Sequence, residues 1–145
     1  MRSMRAKSSP TKSDASAVQL LLDTHALIWW LLDDRSLSRK ARAAISQPGI
    51  LVFVSAVSIV EIGIKLSINK LPLPDELDRD LLDVIAATGF RWLPVTPEHG
   101  YAIRHLPWQH RDPFDRLLIA QSRLEGLTIV TNDPAIRRYP VDVLW

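Results

Sequence analysis

Asp112-Pro113-Phe114-Asp115-Arg116-Leu117-Leu118-Ile119-Ala120 leads through Glu125-Gly126 to Leu127-Thr128-Ile129-Val130-Thr131-Asn132-Asp133-Pro134. Read in order, this stretch is a helix start, a helix stop, a buried strand and a second helix start. Asp112 has the chemistry of an N-cap, Pro113 suits the first helical position, and Asp115 lies three residues past the cap. The apolar run from Leu117 predicts a buried helix, and Gly126 predicts its end. Leu127–Val130 is short, apolar and partly β-branched, and Asp133-Pro134 repeats the start signal.

The same alternation extends outward. Val18–Leu22 reads as a buried strand ending at Asp23-Thr24, followed by an apolar helix over Ala26–Leu32 that includes Trp29 and Trp30. Those tryptophans lack basic neighbours, which favours core or interface over base stacking. Ser38 caps a short helix through Ser46 that aligns Arg35, Arg39 and Arg42 on one face. Leu51–Val54 is a second strand, and Ser55 is suited to cap the next helix, along which Ser58, Glu61 and Lys65 form a polar stripe. Asp75–Ala87 reads as an amphipathic acidic helix with a solvated charged face, closed by Gly89. Phe90–Val95 is a third strand, Pro97 opens a short helix, and Val141–Leu144 is a last strand. Strands alternating with helices in this way predict an α/β domain, with a mostly parallel central sheet of four to five strands flanked by helices. Ligands of such sheets bind at the carboxyl ends of the strands.

The 145 residues are enough for one domain with a real core. No apolar run approaches a membrane span, no apolar signal segment opens the chain, and there is no cysteine; a cytoplasmic location is therefore expected. The pI near 9.2 suggests nucleic acid, but its source is local. Arg2, Arg5, Lys7 and Lys12 against Asp14 place +3 of the +2 formal net charge in residues 1–17, leaving 18–145 at −1. Residues 1–17 read as a disordered basic tail, partly untranslated if synthesis starts at Met4 and wholly so if it starts at Val18; residues 18–145 are the folded domain. Any RNA contact by the domain must then come from local patches rather than bulk charge.

Asp23 and Asp133 each follow a strand directly, Asp112 and Asp115 open the helix before the fourth strand, and Glu61 lies on the polar stripe. Acidic side chains from four segments can thus meet on one rim of the sheet. Each has an ordinary structural use: Asp23, Asp112 and Asp133 as caps worth about 1 kcal/mol each, Asp115 as helix-dipole compensation, and Glu61 as an i,i+4 partner of Lys65. As a set they also suit a hard divalent cation, without which clustered carboxylates repel one another. Residue patterns leave cap and metal site both open. They do exclude a nucleophile elbow, a cysteine nucleophile and a glycine-rich phosphate loop. His25, His105 and His110 are weaker candidates for substrate contact.

Leu20-Leu21-Leu22-Asp23-Thr24-His25-Ala26-Leu27, Ser55-Ala56-Val57-Ser58-Ile59-Val60-Glu61-Ile62, the segment from His110 to Gln121, and Val130-Thr131-Asn132-Asp133 together resemble the four acidic motifs of PIN-domain proteins. The ordered set is similar to the VapC toxins of type II toxin–antitoxin systems, over about residues 18–145. The resemblance implies a metal-dependent ribonuclease with Asp23, Glu61, Asp115 and Asp133 as its carboxylate quartet. Asp23 and Asp115 are then the expected ligands of Mg²⁺, or of Mn²⁺ in its place. Asp112 and Thr131 are expected auxiliaries, Asp112 as a cap and Thr131 in ordering the fourth carboxylate. Arg39, Arg42, Arg111 and Arg116 are the expected RNA phosphate contacts. A cognate antitoxin and a homodimer are the implied partners, with the Trp29-Trp30 helix and the helix around Ile59–Leu66 as surfaces for them. The basic tail departs from the family pattern, which begins just before the first strand. Two other readings are a PIN-domain nuclease of RNA processing without an antitoxin, and a metal- or RNA-binding module without catalysis.

Overall fold

The computed structural model describes residues 18–108 and 112–145; the basic tail, His110 and Arg111 lie outside them. Five strands, β1 (Gln19–Leu22), β2 (Leu51–Ser55), β3 (Arg91–Leu93), β4 (Thr128–Val130) and β5 (Val143–Leu144), form one sheet in the order β3-β2-β1-β4-β5. Every pairing is parallel. The expected α/β architecture is therefore present, with a sheet that is parallel throughout.

A parallel sheet needs helices on both faces, and its strands alternate side chains between two cores. Leu20, Leu22, Val52, Val54 and Val130 join one core with Ala26 and Leu27 of α1 (Thr24–Leu31), Ala41 and Ile45 of α2 (Arg39–Ser46), Ile62 of α3 (Ala56–Ser67), and Leu81 and Ile85 of α4 (Asp75–Ala87). Leu21 and Ile129 join the other, with Leu118 and Ile119 of α6 (Pro113–Glu125) and Ile136 of α7 (Pro134–Arg137). Between β3 and α6 lie α5 (Pro97–Ala102) and a 3₁₀ turn, Ile103–His105. Among the described residues, no helix is long and apolar enough to cross a membrane.

Several boundaries follow from caps that the sequence announces. Ser38 accepts from Ala41 N at 3.0 Å and Ser55 from Val57 N at 3.0 Å, each opening its helix. The first helix begins at Thr24, two residues before the expected Ala26, because Asp23 caps it from the end of β1. The charges of α4 are solvated as expected, and its backbone kinks at Asp80. The last strand is shorter than expected, since only Val143 and Leu144 reach β4.

One buried polar chain fixes α6 against the sheet. Ser55 Oγ donates to Gln121 Oε1 at 2.6 Å, and Gln121 Nε2 donates to the Pro94 carbonyl at 3.2 Å. Nearby, His99 Nδ1 accepts from Thr96 N, so Nε2 carries the proton and donates to Glu125 at 2.8 Å.

The register determines where a site can form. Leu22 is level with Val54 of β2 and with Val130 of β4, so Asp23, Ser55 and Thr131 emerge side by side at the carboxyl edge. The chain steps outward on one side through β1, β2 and β3, then crosses to β4 and β5 on the other. The strand order thus switches between β1 and β4, where α/β sheets open a crevice. At the far end of α6, Gly126 adopts φ +69°, the left-handed C-cap conformation. Gly126→Ala meets no steric neighbour but carries the backbone cost of that conformation. It is expected to lower unfolding free energy by about 1–2 kcal/mol in urea denaturation.

Candidate active site

Asp23 is 6 % exposed, as expected of a residue emerging from the central strand. Its Oδ1 accepts from Ala26 N at 2.7 Å, its own N–H donates to Val130 O at 3.1 Å, and Thr131 contributes a side-chain hydrogen bond. Burial pushes the Asp23 carboxyl above its ordinary range, and the charge of Asp133 adds to the effect. The Thr131 and Ala26 hydrogen bonds and His25 act in the opposite direction without overcoming burial.

Glu61, 8 % exposed, faces Asp23's neighbour: Thr24 Oγ1 donates to Glu61 Oε1 at 2.7 Å and lies 3.0 Å from Ser58 Oγ. Lys65 Nζ holds the second oxygen at 2.8 Å. Asp112 caps α6 through Phe114 N at 2.9 Å and, more weakly, Asp115 N at 3.4 Å. Asp133 caps α7 through Ala135 N at 2.9 Å, while Thr131 Oγ1 accepts from Asp133 N at 3.0 Å. Thr131 thus touches the first carboxylate with its side chain and orders the backbone of the fourth.

These groups line one small cavity of about 110 Å³: Asp23, Thr24, His25, Glu61, Lys65, Asp112, Asp115 and Asp133. The structural uses considered from sequence are real, since Asp23, Asp112 and Asp133 all cap helices and Glu61 does pair with Lys65. Capping and convergence are the same event. A residue that caps a helix at the carboxyl edge of a parallel sheet points the remainder of its carboxylate into the crevice. Sequence reasoning did not place Thr24 or Lys65 in the cavity, although each had a local signal: Thr24 follows Asp23 directly, and Lys65 is one turn from Glu61.

Among the described residues, no three His, Asp or Glu side chains converge tightly enough to hold an ion as they stand. The donor chemistry nevertheless suits one. The lining is rich in carboxylate oxygen, and the raised Asp23 carboxyl marks a place where a positive charge would be stabilising.

The expected RNA-contacting arginines divide. Arg116 is corrected: it is 4 % exposed, with its guanidinium turned inward to the carbonyls of Pro107 at 2.9 Å and Ile103 at 3.2 Å and to the Tyr139 hydroxyl at 3.1 Å. Its long side chain binds three segments together instead of reaching a surface phosphate. Arg42 is engaged by Asp33 at 2.6 Å and by the Asp34 carbonyl at 2.9 Å. Arg39 is exposed and, like Arg42, does not line the cavity. Arg111 lies outside the described residues.

The buried carboxylate sets a sign for stability. Because the folded Asp23 carboxyl sits above its ordinary value of 3.8, folding gains from the protonated form below that pH. The gain is lost as pH rises through the folded pKa, so ionised Asp23 destabilises the protein at neutral pH. Asp23→Asn keeps an N-cap and removes the charge. In chelator at pH 7 it is expected to raise Tm above wild type, an advantage that shrinks as pH falls through the raised pKa of Asp23 and is gone below its ordinary value of 3.8; a calorimetric Tm series across pH checks both.

A family model for the PIN domain matches residues 20–142. No curated protein sequence matches this chain significantly. The fold is similar to that of VapBC2 from Rickettsia felis, solved bound to a DNA fragment from their promoter, with a TM-score of 0.67 at 15% identity over 88% of this chain and 99% of that one. It is also similar to FitAcB from Neisseria gonorrhoeae (TM-score 0.60, 19% identity, 87% and 96% covered). A toxin–antitoxin complex from Klebsiella pneumoniae shares it as well (TM-score 0.54, 15% identity, 87% and 96% covered). At these identities the structural likeness is one of fold, and the family rests on the sequence model spanning nearly the whole sheet and its carboxylate rim: the chain belongs to the PIN-domain family.

Proposed function

We propose that this chain is a divalent-metal-dependent endoribonuclease and the toxin of a type II toxin–antitoxin module. One observation carries the catalytic part: side chains of five acidic residues, from four separate segments of the chain, line a single small cavity at the switch point of the sheet. Family membership supports it, since PIN domains are nucleases that generally use divalent metal ions. The toxin reading draws on the Klebsiella pneumoniae toxin–antitoxin complex, and on the VapBC2 and FitAcB proteins, as neighbours in fold.

Asp23 and Asp115 would hold the cation, with Glu61 and Asp133 flanking it. When bound, Mg²⁺ or Mn²⁺ lowers the pKa of an attacking water and offsets the negative charge that grows on the phosphoryl oxygens. The protein residues supply position. Asp23 is immobilised by its cap bond and Thr131, and Asp115 sits on a first turn that Asp112 holds closed. Thr24 and Lys65 fix Glu61 at both oxygens, where it can accept a proton from water. The water oxygen bonds to phosphorus, the P–O3′ bond breaks, and the departing oxygen takes up a proton, leaving 5′-phosphate and 3′-hydroxyl ends. Lys65, at the cavity wall, can neutralise a non-bridging oxygen.

Partner docking is assigned to α3 and its neighbour α4. Val60, Ile64 and Leu82 are roughly half exposed there, as is Ile68 just beyond α3. The tryptophans of α1 are instead packed within the chain, Trp29 against Trp145 and Trp30 against Phe90. An antitoxin or a second copy of the chain covering that apolar surface fits the toxin reading.

Asp115→Asn is expected to reduce RNA cleavage by on the order of 10²–10³-fold, the scale for losing one preorganised electrostatic group. It should also relieve growth arrest on expression, with circular dichroism and Tm near wild type. EDTA should abolish cleavage and Mg²⁺ or Mn²⁺ restore it. Full cleavage by Asp115→Asn would overturn the metal role given to Asp115, whereas no cleavage by the wild type in Mg²⁺ or Mn²⁺ would reduce the chain to a binding module. Cleavage without growth arrest, and without capture of a small protein encoded next to this one, would favour an RNA-processing nuclease.

A further inference from the structure

Trp108 is the most exposed large hydrophobic side chain among the described residues, at 73 %. Trp29, Trp30 and Trp145 are packed against the apolar core, Trp92 on β3 is 44 % exposed, and an exposed tryptophan by itself would need no explanation. What distinguishes Trp108 is the support beneath it. The Arg116 guanidinium carbon lies 4.5 Å from the centre of its ring. That guanidinium is buried and tied to the Pro107 and Ile103 carbonyls and to Tyr139. A cation fixed at three points therefore backs the indole, which remains largely open to solvent.

Placement gives this pair its meaning. Arg116 directly follows Asp115, so the indole's support and a cavity carboxylate sit on consecutive residues, Cα atoms about 3.8 Å apart. The segments that Arg116 ties together are basic. Arg104 stacks on exposed Tyr101 at 3.7 Å, within the 3₁₀ turn that Arg116 ties down. Arg137 and Arg138 are exposed at the end of α7, the helix that Asp133 caps, with no ion pair among the described residues. An aromatic face beside exposed cations, next to a phosphodiester-cleaving cavity, is the arrangement that receives single-stranded nucleic acid. A protein partner would be better served by the apolar surface of α3 and α4.

We propose that Trp108, held by Arg116, is a stacking platform for an unpaired base of the RNA substrate next to the scissile phosphate, with Arg104, Arg137 and Arg138 contacting the flanking backbone. The proposal rests on the ribonuclease reading and adds to it a base-contacting residue of this chain, Trp108. It also gives Arg116 a role as positioning residue.

The test uses the full chain and a short single-stranded RNA carrying 2-aminopurine, with the same RNA annealed to its complement as control. Bound to Asp115→Asn protein, the single strand should show 2-aminopurine quenching that Trp108→Ala removes. Trp108→Ala should weaken single-strand binding roughly 5- to 150-fold and raise KM by a similar factor with kcat little changed. Trp108→Phe should recover most of the affinity, whereas Trp108→Leu should not. The duplex control should bind weakly and be insensitive to all three changes. Equal binding and KM for wild type and Trp108→Ala, on RNA that the wild type cleaves, would overturn the stacking proposal and leave the nuclease reading standing. Loss of a co-purifying protein partner with RNA binding intact would overturn it in favour of protein docking. No cleavage by the wild type in Mg²⁺ or Mn²⁺ would instead remove the reading on which it rests.

Discussion

A carboxylate at the end of the central strand of a parallel sheet is an expensive thing to bury, and the rest of this structure is arranged around that cost. Asp23 follows β1, which is flanked by β2 and β4, so its side chain emerges where water is scarce. The fold offsets part of the desolvation with a backbone N–H from α1 and the Thr131 side chain, yet the carboxyl remains above its ordinary range. An apolar residue there would be more comfortable. Retaining an acid at this position is intelligible when a cation completes its surroundings, which links the stability of the sheet edge to the chemistry of the crevice.

Asp112 and Asp133 avoid much of that cost through attachment to helix ends. Each satisfies a first-turn N–H that would otherwise lack a partner, and the helix dipole favours its negative charge. Cap and site residue are therefore not competing descriptions. The bond that holds the helix start also removes rotamer freedom from the carboxylate, so the acid is rigid before any ligand arrives.

Local signals in the sequence were enough for the elements and for most of the cavity. Asp-Pro starts, Ser caps and Gly126 announce helix ends through backbone chemistry confined to a few residues, and the strands adjoin them. Strand order was not legible, because apolar runs say that a strand is buried and not which strands it lies between. The Thr24–Glu61 contact joins residues 37 positions apart, and only the pairing of β1 with β2 brings their helices together. Arg116 was misread for a related reason. On the first turn of α6, a long cation next to a carboxylate looks like surface charge; its burial depends on Ile103 and Tyr139, from elements whose packing on α6 the sequence does not state.

The sheet margins carry a different consequence. β3 has three residues and is followed at once by Pro94; β5 has two and is reached from Pro140. Neither border exposes a long row of unpaired amides and carbonyls, so each is a poor template for an incoming strand. Among the described residues, assembly by extending the sheet from one molecule into the next is therefore disfavoured. A partner is then better met through side-chain surfaces, where recognition depends on shape and residue chemistry rather than on a generic backbone ladder, and where one partner can be told from another.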